Sequence, residues 1–219
     1  MANLKSVTYS YFVTHPFAMA FFDKRGEIFK KNKSFLNFVD KDTKFEELVM
    51  LSSSLDTNDS IQEGYYSPDE FSMRLNDPNL IEIFTENNRK FSTNIVESLG
   101  IEQNIESIRF QIKLEIEVEE DTDIRDFLTE KGFIVGLPNG MDVLRNELNS
   151  IIGNPSTKEV YHIGISEFSS TDDRIYADIT RFVDKEEISF LNLCNKDFYM
   201  ENYTNIKELF VSLKLVEEL

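Results

Sequence analysis

Residues 108–118 carry the cleanest pattern in the chain. Ile108, Phe110, Ile112, Leu114, Ile116 and Val118 alternate with Arg109, Gln111, Lys113, Glu115 and Glu117. A period of two with one apolar side predicts a β-strand whose even-numbered side chains are buried. The wholly polar second side belongs to an antiparallel sheet with one solvated face. Further strands are predicted at residues 159–168, 174–183 and 187–193. Two more, at 18–23 and 27–31, meet in the tight connection "DKRG", where Gly26 supplies a left-handed turn.

Helical spacing governs other segments. After Asp77-Pro78, a helix-start device, Leu80, Phe84, Phe91, Ile95 and Leu99 recur on one face, and Gly100 stops the run. Residues 204–218 place Ile206, Phe210, Leu213 and Val216 together. Shorter helices are predicted at 34–39, 45–51, 124–130 and 141–152, the last two ending at Gly132 and Gly153. Ser67-Pro68-Asp69-Glu70 has the form of a capping box that opens another helix. The polar, non-periodic run "SSSLDTNDSIQEGYY" at 52–66 is a loop or an internal boundary. No internal repeat emerges. Strands and helices do not alternate regularly, so the expected fold is a single α+β domain: an antiparallel sheet with helices packed on one face.

Composition supports a packed core. The chain has 219 residues, 41% hydrophobic, with 19 Phe and 8 Tyr, and only 8 Gly and 5 Pro. Glycine-rich phosphate loops are therefore excluded almost before any motif search. The net charge is −17, unevenly spread. Residues 1–110 hold 12 Lys/Arg against 17 Asp/Glu, a net of −5; residues 111–219 hold 11 against 23, a net of −12. Such a surface should repel nucleic acid and anionic lipid; the plain reading of the acidity is solubility, and the sharper one is a protein partner with a basic surface, of the kind that normally binds DNA. One cysteine, Cys194, excludes an intramolecular disulfide and fits a reducing compartment. No span approaches the ~20 apolar residues of a transmembrane helix. A cytoplasmic protein with no membrane contact is expected.

The stretch "HPFAMAFFDKRGEIFKKNKSF" has a further pattern. An apolar run ends at Asp23, Gly26 follows, and Asn32 precedes Phe35. In this order and spacing the segment resembles the start of a PAS sensor domain. "RIYADITRFVDKEE", with Asp178, Ile179 and Thr180, is similar to that family's last strand. The two fragments cover about a fifth of the chain, and the 140 or so residues between them would be a large helical insertion. The resemblance implies adjacent strands at 18–23 and 27–31, in one sheet with 108–118 and 174–183. It implies that Asn32 starts a short helix. It also implies a ligand pocket between sheet and helices, at Phe22, Phe29, Asn32, Phe35 and Phe38. A Phe-rich core that fills this space is the plainer alternative.

Catalytic signatures are missing. His15 and His162 have no ligand cluster around them, so no metal is expected. Glu115–Asp123 lacks the spaced ligands and central glycine of a calcium loop. "GLPNG" and "GIS" do not form a nucleophile elbow. No cofactor is expected, and Cys194 is expected to be an inert thiol on an apolar strand. Lys24, Arg25, Lys30, Lys31 and Lys33 form a basic cluster opposed only by Glu27. That cluster fits a solvated face, an acidic partner, or the acidic half of a second copy in a homo-oligomer. The function expected is therefore a non-enzymatic PAS-like sensory or protein-interaction domain. The alternative is an acidic assembly subunit or inhibitor, of phage or mobile-element type, that docks on a basic protein. A clamp-like processivity factor shares the acidity but normally shows two similar halves, and the residues show none.

Overall fold

The computed structural model describes residues 2–40, 44–53, 61–118, 129–130, 147–155, 157–167, 174–216 and 219. Nine strands form one antiparallel sheet: β1 (Ala2–Thr14), β2 (Phe38–Val39), β3 (Leu48–Ser53), β4 (Ile61–Tyr66), β5 (Glu70–Leu75), β6 (Ser107–Val118), β7 (Glu147–Asn154), β8 (Glu159–Glu167) and β9 (Arg174–Phe182). Their order across the sheet is β2-β3-β4-β5-β1-β6-β9-β8-β7. Three longer helices, α1 (Ala20–Asn32), α2 (Ile81–Leu99) and α4 (Lys196–Ser212), are joined by the single turn α3 (Phe190–Leu193) and by a 3-10 turn, Pro78–Leu80, that leads into α2. The α+β class and the antiparallel sheet are as expected.

β1 and β6 form the middle of the sheet and its driving force. Val7, Tyr9, Tyr11 and Val13 are buried on β1, as are Ile108, Phe110, Ile112, Leu114 and Ile116 on β6. The same face continues through Phe71, Met73 and Leu75 of β5 and Ile175, Ala177 and Ile179 of β9. Above β1 and β6, α2 and α4 close the core with rings. Tyr11 meets Tyr199 edge-on at 5.4 Å, and Phe110 meets Tyr203 at 5.3 Å. The Ser92 hydroxyl bridges Tyr11 (2.7 Å) and Tyr199 (2.8 Å), so these two buried phenols are satisfied where α2 crosses α4.

The connectivity contains a duplication that the residues do not advertise. Outward from the β1/β6 boundary, one half runs β1, β5, β4, β3, β2 and the other, among the described residues, runs β6, β9, β8, β7. In each half the inner strand comes first in sequence, the strands that follow it (β2–β5 or β7–β9) return towards it as a meander, and a long helix follows, α2 or α4. Two topologically equivalent halves are thus related by a pseudo-twofold between antiparallel β1 and β6. Alternation is all that the shared topology requires, so Tyr9 and Tyr11 in one half answer to Phe110 and Ile112 in the other.

Several local expectations are corrected. Residues 18–31 are not a strand pair. They lie largely in α1, where Phe21, Ile28 and Asn32 are buried at helical spacing and Glu27 pairs with Lys24 and Lys31. The paired strands implied by the PAS resemblance are therefore replaced by this helix. Asn32 ends it: the Asn32 carbonyl accepts from Phe35 and Leu36. The predicted helices at 34–39 and 45–51 give way to β2 and β3, and 187–193 contains α3 rather than a strand. Ser67 does cap a backbone N–H, that of Glu70 at 3.1 Å, but the bond closes the β4–β5 hairpin. Residues 61–66 of the polar run form β4, which pairs with β3, so the sheet continues across it; residues 54–60 lie outside the described residues. Of the helix predicted at 124–130 only 129–130 is described, as helix, and 147–152 of the 141–152 prediction belongs to β7. α2 and its Gly100 stop, at φ 67°, are as expected. The last helix starts earlier and ends earlier than predicted, from the Asn195 cap to Ser212.

A substitution separates the helix from the hairpin at 18–31. A Cβ on Gly26 would meet nothing within 4 Å. Gly26→Ala is expected to stabilise the protein by about 0.5–1 kcal/mol, the usual gain for Ala over Gly inside a helix. A lowered urea midpoint would instead indicate a left-handed turn at this residue.

Candidate functional site

The five residues implied as a pocket line neither the hollow over β5, β1 and β6 nor the hollow beside α4. Phe22 stacks on Phe45 at 5.4 Å, and Phe29 and Phe35 pack against the core from the side. Asn32 is buried, donating to the Ile28 carbonyl (2.8 Å) and accepting from Asn94 (2.9 Å), which ties α1 to α2. Phe38 is 55% exposed on the edge strand β2. The basic cluster on α1 is largely engaged in structure. Arg25 donates to the carbonyls of Phe45 and Glu47 and lies over the Phe21 ring, while Lys31 reaches Ser98.

The feature that residue patterns did not single out is the sheet face opposite the helices. The pairing registers align its outward side chains into rows that cross the sheet. One row runs Val49, Tyr65, Ser72, Phe12, Arg109, Phe182, Val160. It is aromatic, aliphatic and arginine-bearing, with the Arg109 guanidinium over the Phe12 ring at 5.2 Å and Phe182 and Val160 each 38% exposed. The adjacent row is polar: Glu63, Arg74, Ser10, Gln111, Thr180, His162. Beyond it Thr8, Lys113 and Asp178 lie side by side.

Charge on this open face is balanced. On β4, β5, β1, β6 and β9 it presents Lys5, Arg74, Arg109, Lys113 and Arg174 against Glu63, Glu70, Glu115, Glu117 and Asp178. Cross-strand ion pairs join Lys5–Glu117 (2.5 Å), Arg74–Glu63 (2.9 Å), Arg109–Glu70 (3.3 Å) and Arg174–Glu115 (2.6 Å). In a chain of net charge −17, the acidic excess therefore lies elsewhere. A depression of about 190 Å³ sits in the middle of the face, over β5, β1 and β6.

A second hollow, of about 390 Å³, lies between the β7–β8 turn and α4, lined in part by Tyr161, Asn205, Glu208 and Leu209. Glu159 on its wall accepts from Thr157 (2.7 Å) and Tyr161 (3.1 Å), and pairs with Arg181 at 3.4 Å. Arg181 itself points to the helix side, is 7% exposed, and also donates to Asn202 of α4. Burial pushes the Tyr161 phenol up to about 12.

Among the described residues no group of three or more His, Cys, Asp or Glu could hold a metal. Cys194 caps the end of α3 rather than lying on a strand, with Thr93 Oγ1 at 3.4 Å. His15 is buried at the end of β1. Its Nδ1 is 2.9 Å from the Pro16 carbonyl, to which it must donate, so Nε2 carries the lone pair and has no partner. Burial lowers the His15 pKa, against an opposite pull from the Pro16 bond and from Asp69 and Glu106. A lowered folded pKa means that the unfolded chain takes up the proton first as pH falls below about 6.5. Stability supplied by neutral His15 is therefore intact above that pH and declines beneath it. Glu86, held at about 2 by Arg89, contributes its own loss only below its ordinary 4.5. Urea midpoints should thus fall between pH 6.5 and 5, and His15→Asn should flatten that decline; an unchanged slope would exclude His15 as its source.

Among the described residues no helix is long and apolar enough to cross a membrane. No protein-family model matches the chain, and no curated protein matches it.

Proposed function

We propose that this chain is a non-enzymatic protein-interaction domain that docks its partner on the open sheet face. The observation that carries this reading is the in-register row of Tyr65, Phe12, Arg109, Phe182 and Val160 on a face that the described helices leave uncovered. Aromatic residues and arginine are the side chains that dominate protein interfaces. Nine strands span roughly 38 Å at the usual spacing, room for the ~800 Å² per partner of a standard interface. Balanced charge on the face keeps like-charge repulsion away from the contact. The acidic remainder of the surface draws in a basic partner by long-range attraction. That favours the form of the reading in which an acidic assembly subunit or inhibitor engages a basic protein. The sensory form, with a small ligand between sheet and helices, has less support, because Tyr11, Phe110, Tyr199 and Tyr203 pack against one another there.

A photo-crosslinking residue at position 12 or 182 should give a discrete protein adduct in the cells that make the chain. The same residue at 83 or 191, exposed on α2 and α3, should not. Adducts from the helical positions alone would reject the open face as the docking surface. In gel-shift assays at physiological salt the protein should leave duplex DNA unshifted; binding that weakens steeply with added salt would contradict the electrostatic argument.

A further inference from the structure

We infer that His15 is a proton-triggered latch: a proton taken up at Nε2 opens the corner where β1 leaves the sheet for α1. Few bonds tie this corner. The His15 backbone N–H donates to the Asp69 carbonyl (2.9 Å) and the Ala18 N–H to the Pro68 carbonyl (2.7 Å), so the crossover hangs on the β4–β5 turn. On the other side the Glu106 N–H donates to the Thr14 carbonyl (2.8 Å). The His15 ring fills the space between them, 2% exposed and 6.1 Å from the Phe71 ring.

Geometry decides where a proton can enter. Nδ1 already holds one, which it donates to the Pro16 carbonyl at 2.9 Å. The second must go to Nε2, which is buried and, among the described residues, has no hydrogen-bond partner. In the closed corner the imidazolium would therefore carry a charged N–H with no acceptor, an arrangement that burial penalises. The charged groups that face the ring are Asp69 of the β4–β5 turn and Glu106 of the α2–β6 connection. Both residues are exposed, and neither carboxylate bonds to Nε2. A ring that swings outward meets both of them, and water. Closed favours neutral His15 and open favours the cation, which is the differential interaction that a two-state switch requires. Burial, the largest influence on the closed ring, holds its pKa low against the Pro16 bond and the two carboxylates. The opening is confined to the corner, because the strand behind it is paired on both edges, with β5 and β6. Docking on the open face would feel it, since Glu70 of the same turn pairs with Arg109 at 3.3 Å. The latch itself stands whether or not a partner docks there.

The test is amide hydrogen exchange of the full chain by NMR, on either side of the ordinary histidine value of about 6.5, at pH ~7.5 and ~5.5, corrected for the intrinsic effect of pH. Protection of the His15 and Ala18 amides should be lost at the lower pH, while Ile112 and Leu114 keep theirs. Side-chain nitrogen shifts at the higher pH should show the proton on Nδ1. Asp69→Asn combined with Glu106→Gln removes the charges that receive the swung ring, and the new amide oxygen at position 69 can still accept from the Ser67 hydroxyl, as Asp69 does at 2.9 Å. This variant should keep wild-type protection at the higher pH and lose less at the lower. His15→Asn should abolish the pH dependence; if it does not fold, the wild type and the double variant decide. Equal loss along β6, unchanged protection at His15 and Ala18, a proton on Nε2 at the higher pH, or a low-pH loss as large in the double variant as in the wild type would each overturn the latch. Crosslinking from positions 12 and 182 reports docking separately, so failure of one result does not decide the other.

Discussion

Leu114→Asp should lower unfolding free energy by about 4 kcal/mol or more. Leu114 is fully buried in β6, paired with Val7 on one side and Ala177 on the other. The substitution removes the transfer gain of a buried leucine, about 1.5–3 kcal/mol. It also places a carboxyl where no donor stands opposite, so the group must either stay charged in the core or shift its pKa to become neutral. The neighbouring Lys113→Asp supplies the comparison. Lys113 is on the exposed side, and the new carboxylate would face Asp178 across the strands; the cost should be at most about 1 kcal/mol. Urea denaturation of the two variants at pH 7 measures the contrast, and equal losses would refute the burial pattern of β6.

Glu159→Gln should cost about 2 kcal/mol, for a different reason. Among the described residues Arg181 is the most buried Lys, Arg, Asp or Glu, at 7% exposed, and it depends on Glu159 and Asn202 for compensation. Removing one partner of a buried pair costs roughly 3–5 kcal/mol; the partial exposure of Glu159 reduces that here. Replacing both groups is the discriminating step. Glu159→Gln combined with Arg181→Met removes the buried charge along with its partner, and should recover at least half of the single-variant loss. A double variant less stable than the single one would show that Arg181 contributes through contacts other than this pair.

The legible parts of the fold were those in which one physical requirement acted alone. In β6, burial on one side and solvent on the other left uninterrupted alternation. In α2, apolar spacing ended at a glycine with positive φ. β1 carried a weaker form of the signal, Val7, Tyr9, Tyr11 and Val13 against Ser6, Thr8, Ser10 and Thr14, with Phe12 breaking the alternation on the outer side. Its hydroxyl-rich outer face looks less charged than that of β6, which hides the contrast. Residues 18–31 misled because Phe21 and Phe22 are adjacent and Gly26, which has the look of a turn residue, lies inside a continuous helix at a position where nothing needs a side chain. Ser67 misled because one hydroxyl-to-amide bond serves a helix start and a hairpin turn equally well. The candidate site was not legible at all. Tyr65, Ser72, Phe12, Arg109 and Phe182 come from five strands and are brought into line only by pairing register, which composition does not encode.

The position of β1 has a consequence for synthesis. Its two neighbours, β5 and β6, begin at residues 70 and 107. At roughly 5–20 residues per second, the first strand waits several seconds or longer on the ribosome before its second edge can be covered. During that interval a strand with Val7, Tyr9, Tyr11 and Val13 on one side offers unpaired backbone to any other nascent chain. Chaperone dependence of this protein should therefore concentrate in the window before β6 emerges, and slowing translation within residues 15–106 should increase aggregation more than slowing it after residue 118.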